Sequence, residues 1–159
     1  MARGTHHIEM VFIFSNNEWD SNRTVTGKDF TMSLAVPADL LDRAQQGEVD
    51  DAAFLDCVRS SLPYAWDLIT GLITDLEESK GQFADNQVPP PDEEARGQLL
   101  RMMASDAMRT AVERRYGVRL AFQNCHRAAV FRQDASAAFA EFTSARAQLL
   151  NQSPALRNC

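Results

Sequence analysis

The residues best suited to chemistry near the start of the chain are His7 and Glu9, which flank Ile8. The segment 6–15 carries apolar residues on both faces, which predicts a strand buried on both sides. Side chains at positions i and i+2 of a strand point to the same face, so this imidazole and this carboxylate would lie side by side. An adjacent histidine and carboxylate are typical of general acid–base catalysis.

His126, in a later predicted strand region, is the third candidate catalytic or metal-binding residue. If it packs beside His7 and Glu9, two imidazoles and one carboxylate converge, as in non-haem iron sites that leave positions open for substrate and oxygen. In the alternative interpretation, Glu9 pairs with an arginine and His126 occupies a turn. The sequence specifies no metal or other cofactor, so catalysis and metal binding by these three residues are hypotheses.

Cys125 precedes His126, but neighbouring residues of a strand face opposite sides. A nucleophilic cysteine would therefore need a base from another strand. A small buried thiol is the simpler interpretation.

Arginine is concentrated in one part of the chain. Residues 96–132 hold eight of the 14 arginines against two acids, while residues 1–95 hold six bases against 18 acids. Arg114, Arg115 and Arg119 lie where a predicted helix passes into a strand, and a guanidinium offers a planar fork to a carboxylate or phosphate. The pattern predicts a site for a small organic anion. The alternatives are pairing with the acidic half of the chain and a favourable contact with the helix dipole.

Trp19 lies inside the polar segment 16–29, which is long for a connection between two strands. An aromatic side chain in such a loop is a candidate contact for a ligand or a partner protein. The alternative is that Trp19 folds back onto the core.

Composition excludes several classes of protein. The net charge of -6 argues against a generic nucleic-acid binder, because that affinity depends on basic side chains that neutralise phosphates. The seven glycines are too far apart for a dinucleotide or P-loop cradle, and no zinc-protease or zinc-finger pattern occurs. No apolar run is long enough for a membrane span, and the N-terminus lacks a signal-peptide core, which predicts a cytoplasmic protein. The excess of arginine over lysine favours a bacterial origin.

Periodicity predicts the elements that would position these residues. Strands are expected at 6–15 and 30–36, and three helices between Pro37 and Lys80, of which the third has the clearest apolar stripe. The proline-rich segment 81–92 is expected to be a crossing loop, neither helix nor central strand. A helix is predicted from Asp92 to Gly117, one strand or a hairpin over 118–132, and a final helix capped by Asp134.

The resulting order is β-β-α-α-α-α-β-β-α, which predicts an α+β fold with a small, mostly antiparallel sheet packed against helices. We expect one domain over 1–159, with a frayed tail after residue 151.

Two classes of function remain open. The first is a small soluble bacterial enzyme or binding protein that acts on an organic anion, with His7, Glu9 and His126 near the chemistry. The second is a non-catalytic protein-interaction or regulatory module. Domains of this size often form homodimers, which we expect for either class.

Overall fold

The computed structural model describes residues 34–152, which form seven helices and three strands. The helices are α1 (Ala38–Gln45), α2 (Asp51–Ser61), α3 (Pro63–Glu78), α4 (Glu93–Ala104), α5 (Asp106–Tyr116), α6 (Ser136–Phe142) and α7 (Ala145–Leu150). The strands are β1 (Phe83–Asp85), β2 (Val118–Gln123) and β3 (Arg127–Arg132). The predicted α+β fold is confirmed.

The three strands form one antiparallel sheet in the order β1-β3-β2. β2 and β3 are the hairpin that was one of two alternatives for 118–132, with a turn at 124–126. β1 falls inside the segment 81–92 that was predicted to be a loop, and that prediction missed a strand. β1 is three residues long and lies at the sheet edge, where it pairs antiparallel with β3.

The first predicted strand, 6–15, lies outside the described residues. So does most of the second, and its last residues, 34–36, have no regular secondary structure. Ala35 is held against α2 instead, because its N–H donates to Ser61 Oγ at 2.9 Å and its carbonyl accepts from Cys57 Sγ at 3.6 Å. The predicted tail after residue 151 also lies almost wholly outside the described part of the chain.

The helix predicted from Asp92 to Gly117 is two helices. Asp92 begins α4 by accepting a hydrogen bond from Ala95 N at 2.8 Å. The chain then breaks at Ser105, whose hydroxyl caps α5 by accepting from Met108 N at 3.3 Å. The final predicted helix is likewise divided, because Ser144 caps α7 immediately after α6 ends.

The sheet is covered on both faces, which follows from the alternation of side chains along a strand. Leu120, Ala128 and Val130 face a large core formed with α2, α3, α4 and α5. Ala121, Ala129 and Phe131 face a smaller core with α6. Within residues 34–152, no helix has both the length and the apolar content needed to cross a bilayer.

Candidate anion-binding cleft

The arginine-rich segment 96–132 is partly neutralised by internal ion pairs. Four of its eight arginines contact a carboxylate. The pairs are Arg96–Glu93, Arg109–Asp106, Arg114–Asp51 and Arg127–Asp85. Glu93, Asp51 and Asp85 belong to residues 1–95, whereas Asp106 lies in the arginine-rich segment itself. Pairing with the acidic half of the chain, one of the alternatives from the sequence, therefore accounts for three of the eight arginines.

The other four arginines have different surroundings. Arg132 donates to the carbonyl oxygens of Leu76, Ser79 and Gly81 at 2.7–2.9 Å. Arg119 lies over the ring of Phe139, with 3.6 Å between the guanidinium carbon and the ring centroid. Among residues 34–152, Arg101 and Arg115 contact no carboxylate.

Arg115 lines a cleft of about 580 Å³ that we call the arginine cleft. α2, α3 and α5 form its walls, since the helices bring together side chains far apart in the sequence. The lining residues are Asp51, Ala52, Leu55, Asp56, Arg59, Trp66, Arg114, Arg115 and Tyr116. The volume is within the range of small-molecule sites, roughly 300–1,000 Å³.

Two helix ends position the charged groups of the arginine cleft. Asp50 begins α2 by accepting a hydrogen bond from Ala53 N at 2.7 Å, and Asp51 follows in the first turn. α5 ends at Gly117, whose φ of +64° is readily adopted by glycine and ends the helix just after Tyr116. The capping residues at these two helix ends thus determine the positions of Asp51 and Tyr116 in the cleft.

Arg114 is bound to Asp51 by both of its facing nitrogens, at 2.9 Å for Nε and 2.8 Å for Nη2. The hydrogen bond from Arg114 lowers the pKa of the Asp51 carboxyl below its usual value, and the positive charge adds to that effect. The same hydrogen bond raises the pKa of Arg114. Arg114 is therefore already occupied by a carboxylate of the protein.

Arg59 and Arg115 differ from Arg114 in their surroundings. Both are exposed, and neither contacts a carboxylate in the described part of the chain. Each lies in the last turn of its helix, α2 or α5, where the helix dipole stabilises a cation with no ligand involved. Their position alone is thus unremarkable for arginine, and what distinguishes them is that both line one cleft without a carboxylate partner among residues 34–152.

Trp66 and Tyr116 supply aromatic surface to the same cleft. Their ring centroids lie 6.4 Å apart, and the ring planes are inclined at 60°. Trp66 is half-buried and packs on the large core, while Tyr116 is 36% exposed. The cleft thus combines apolar ring surface with two guanidinium groups that contact no carboxylate in the part of the chain that the structure describes.

The structure separates the three arginines that the sequence grouped. Arg114 and Arg115 line the arginine cleft, whereas Arg119 lies in a groove of about 440 Å³ with Arg109, Glu113 and the outer edge of β2. Glu113 occupies part of that edge, because its carboxylate accepts from Leu120 N at 2.7 Å.

His126 is buried in the turn between β2 and β3, where Nδ1–H donates to the carbonyl of Asn124. This turn is at the opposite end of β2 from Arg115. A six-residue strand is roughly 20 Å long, so His126 and the arginine cleft are separate sites. His7, Glu9 and Trp19 lie outside the described residues. Within residues 34–152, no three His, Cys, Asp or Glu side chains are grouped so as to hold a metal ion.

Sequence reasoning missed Arg59, Trp66 and Tyr116. Arg59 stands in the acidic half of the chain, and Trp66 belongs to the apolar stripe that predicted α3. A signal was present for Tyr116, which directly follows Arg114 and Arg115 at a helix end. For Arg59 no local signal existed, because only the packing of α2 against α5 brings it to the cleft.

Comparison with known proteins gave one family. A family model named KH_NucS_shadow and described as "NucS shadow ORF" matches residues 32–159, most of the chain. The description names a reading frame and states no activity. No curated protein and no solved structure matches the chain.

Proposed function

The chain belongs to the family described as "NucS shadow ORF", and from its structure we propose that it is a binding protein for a small organic anion. The arginine cleft is the binding site. Arg59 and Arg115 contact the anionic group, while Arg114 is held aside by Asp51.

One observation carries this proposal. Two arginines from different helices, Arg59 and Arg115, line the same concave site and neither contacts a carboxylate among residues 34–152. A guanidinium group presents N–H donors in a plane that matches the oxygens of a carboxylate. Each charge-assisted hydrogen bond contributes roughly 1.5–3 kcal/mol, enough for two of them to produce measurable affinity.

The test is titration of the full-length protein with benzoate, followed by isothermal calorimetry and by NMR of the arginine Nε–H signals. We expect saturable binding, with shifts at Arg59 and Arg115. Arg59→Gln and Arg115→Gln should each weaken binding by about tenfold or more, from the loss of one charge-assisted contact.

Arg101→Gln is the matched control, because Arg101 also contacts no carboxylate in the described region but does not line the cleft. We expect it to bind benzoate like the unaltered protein. An Arg101→Gln variant that loses as much affinity as Arg115→Gln, or no saturable binding by the unaltered protein, would contradict the proposal.

Binding of single-stranded RNA is a second candidate function. The family name contains the letters KH, which are also the name of an RNA-binding module that clamps backbone nucleotides with a Gly-x-x-Gly loop. Arg119 lines the groove beside β2 and supplies positive charge there, while Arg109, in the same groove, is paired with Asp106. However, this chain contains no Gly-x-x-Gly.

Substitutions distinguish the two candidate functions. If the chain binds RNA in the β2 groove, Arg119→Gln should weaken the retention of a fluorescent oligonucleotide and Arg115→Gln should not. If the arginine cleft binds small anions, the two variants should have the reverse effect on benzoate.

Catalysis by His7, Glu9 and His126, partner contact by Trp19 and a cytoplasmic location stay predictions. An interaction or regulatory module also stays an alternative. The predicted homodimer is tested directly by light scattering of the full-length protein after gel filtration, where twice the mass of the 17.8 kDa chain is the expected result.

A further inference from the structure

The aromatic side chains that line the arginine cleft indicate what kind of group the bound anion carries. Trp66 and Tyr116 line the same cleft as the charged groups, with 6.4 Å between their ring centroids and 60° between their ring planes. Rings so inclined do not cover each other as a parallel stack would. Each therefore keeps surface that a flat ligand ring can contact, and offset or edge-to-face contacts between rings are favourable.

The charges of the cleft limit the charge of the ligand. Arg59, Arg114 and Arg115 give three positive charges, and Asp51 and Asp56 give two negative ones, so the net charge of the lining is +1. The pair Arg114–Asp51 is neutral as a unit. The remaining carboxylate, Asp56, has no ion-pair partner among residues 34–152 and repels a second negative charge on the ligand.

We propose that the arginine cleft is selective for an aromatic monocarboxylate. The carboxylate binds Arg59 and Arg115, and the ring packs against Trp66 and Tyr116. This inference rests on the proposed function, since it names the class of anion that the same cleft binds. A phenyl phosphate shares the ring but carries up to two negative charges, so Asp56 disfavours it.

Three ligands of similar size separate the contribution of the aromatic ring from that of the anionic group. Benzoate and cyclohexanecarboxylate have the same charge and differ in aromaticity, while phenyl phosphate keeps the ring and changes the anion. Titrated into the full-length protein, benzoate should bind about three- to tenfold more tightly than cyclohexanecarboxylate, the value of an aromatic contact. Benzoate should also bind more tightly than phenyl phosphate at pH 7.5.

Substitution of the rings gives the second arm. Tyr116→Leu should reduce the preference for benzoate over cyclohexanecarboxylate, because it removes one of the two aromatic rings of the cleft. Substitution of Tyr116 disturbs the fold less, because Trp66 also packs on the core. Trp66→Leu is compared with the unaltered protein when the circular dichroism and the unfolding midpoint of the two match. Asp56→Asn should raise the affinity for phenyl phosphate more than that for benzoate.

The outcomes are distinguishable. Binding of neither carboxylate overturns the proposed function itself. Equal affinity for benzoate and cyclohexanecarboxylate leaves anion binding standing and overturns the aromatic preference. Tighter binding of phenyl phosphate overturns the preference for a single negative charge.

Discussion

Arg114 and Asp51 form a two-point ion pair although 63 positions separate them in the sequence, with N···O distances of 2.9 and 2.8 Å. Asp51 lies in the first turn of α2 and Arg114 in the last turn of α5, so the pair joins the two helices at the rim of the arginine cleft. Both side chains are more than half exposed, and such a pair adds little to stability. Its main consequence is orientation, because it engages the Arg114 guanidinium with a carboxylate of the protein, whereas Arg59 and Arg115 contact no carboxylate among residues 34–152.

The Asp51–Arg114 pair should make a small, pH-dependent contribution to stability. The pKa of Asp51 is lowered in the folded protein, so its contribution is fully present above the pKa of the unfolded chain, about 3.9, and disappears as the pH falls through the lower folded-state pKa. Asp51→Asn should therefore lower the urea midpoint at pH 7, and this difference should shrink below about pH 4.

Arg114→Gln and the double variant complete the test of that pair. If Asp51 and Arg114 act through each other, their effects at pH 7 should be less than additive. Additive effects, or a difference that persists undiminished at pH 2.5, would show that the pair does not act as described.

Asn86 should contribute more to the free energy of unfolding than any exposed ion pair among residues 34–152. It is buried, and its side chain accepts from Ala128 N at 2.7 Å and donates to His126 O at 2.8 Å. These bonds join the segment after β1 to the start of β3. Asn86→Ala leaves a buried N–H and a buried carbonyl without a partner, so we expect a loss of about 2–4 kcal/mol in the free energy of unfolding.

Gln87→Ala is the neighbouring control. Gln87 is exposed, and its amide contacts Asp85 Oδ1 at 2.6 Å on the surface. We expect its effect to stay within about 0.5 kcal/mol by chemical denaturation. Comparable losses in the two variants would mean that burial of the Asn86 amide has no special weight.

The sequence predicted elements well where one helix face decides them. Ile69, Leu72, Ile73 and Leu76 recur at helical spacing, and all four are buried in α3. Prediction from the sequence failed where contact with a distant segment of the chain determines the structure. Phe83–Asp85 forms a strand by pairing with β3. At Ser105 the helix breaks although neither a glycine nor a proline is present there to predict it.

The same distinction explains what could be foreseen of the arginine cleft. Arg114 and Arg115 were found because local charge density and a helix end coincide in the sequence. Arg59 stands 55 positions before Arg114, amid acidic residues, and joins the cleft only through the contact of α2 with α5. Sequence separation of that order carries no local signal, since the approach is a property of tertiary packing.

Two glycines should respond to alanine with opposite signs. Gly117 has φ +64°, a conformation that costs an L-residue about 1–2 kcal/mol, whereas Gly71 lies inside α3 with ordinary helical geometry. A Cβ at either position meets no atom within 4 Å, so backbone conformation alone decides. Gly117→Ala should lower the free energy of unfolding by about 1 kcal/mol, and Gly71→Ala should raise it by about 0.5–1 kcal/mol. Thermal unfolding of the two variants measures both, and a shift in the same direction would refute the argument.

Tyr64 should titrate above the usual phenol value of about 10. Burial raises its pKa by disfavouring the phenolate, and the negative charge of Asp92 raises it further. Absorbance at 295 nm during alkaline titration should contain a late component that Tyr64→Phe removes. Because the folded state binds this proton more tightly than the unfolded chain, the contribution of Tyr64 to stability should decline as the pH rises above about 10. Asp92→Asn preserves a good N-cap for α4, and it should move the late component to lower pH without removing it. A Tyr64 signal unaffected by Asp92→Asn would leave burial as its only cause, while the absence of a late component would contradict the burial argument.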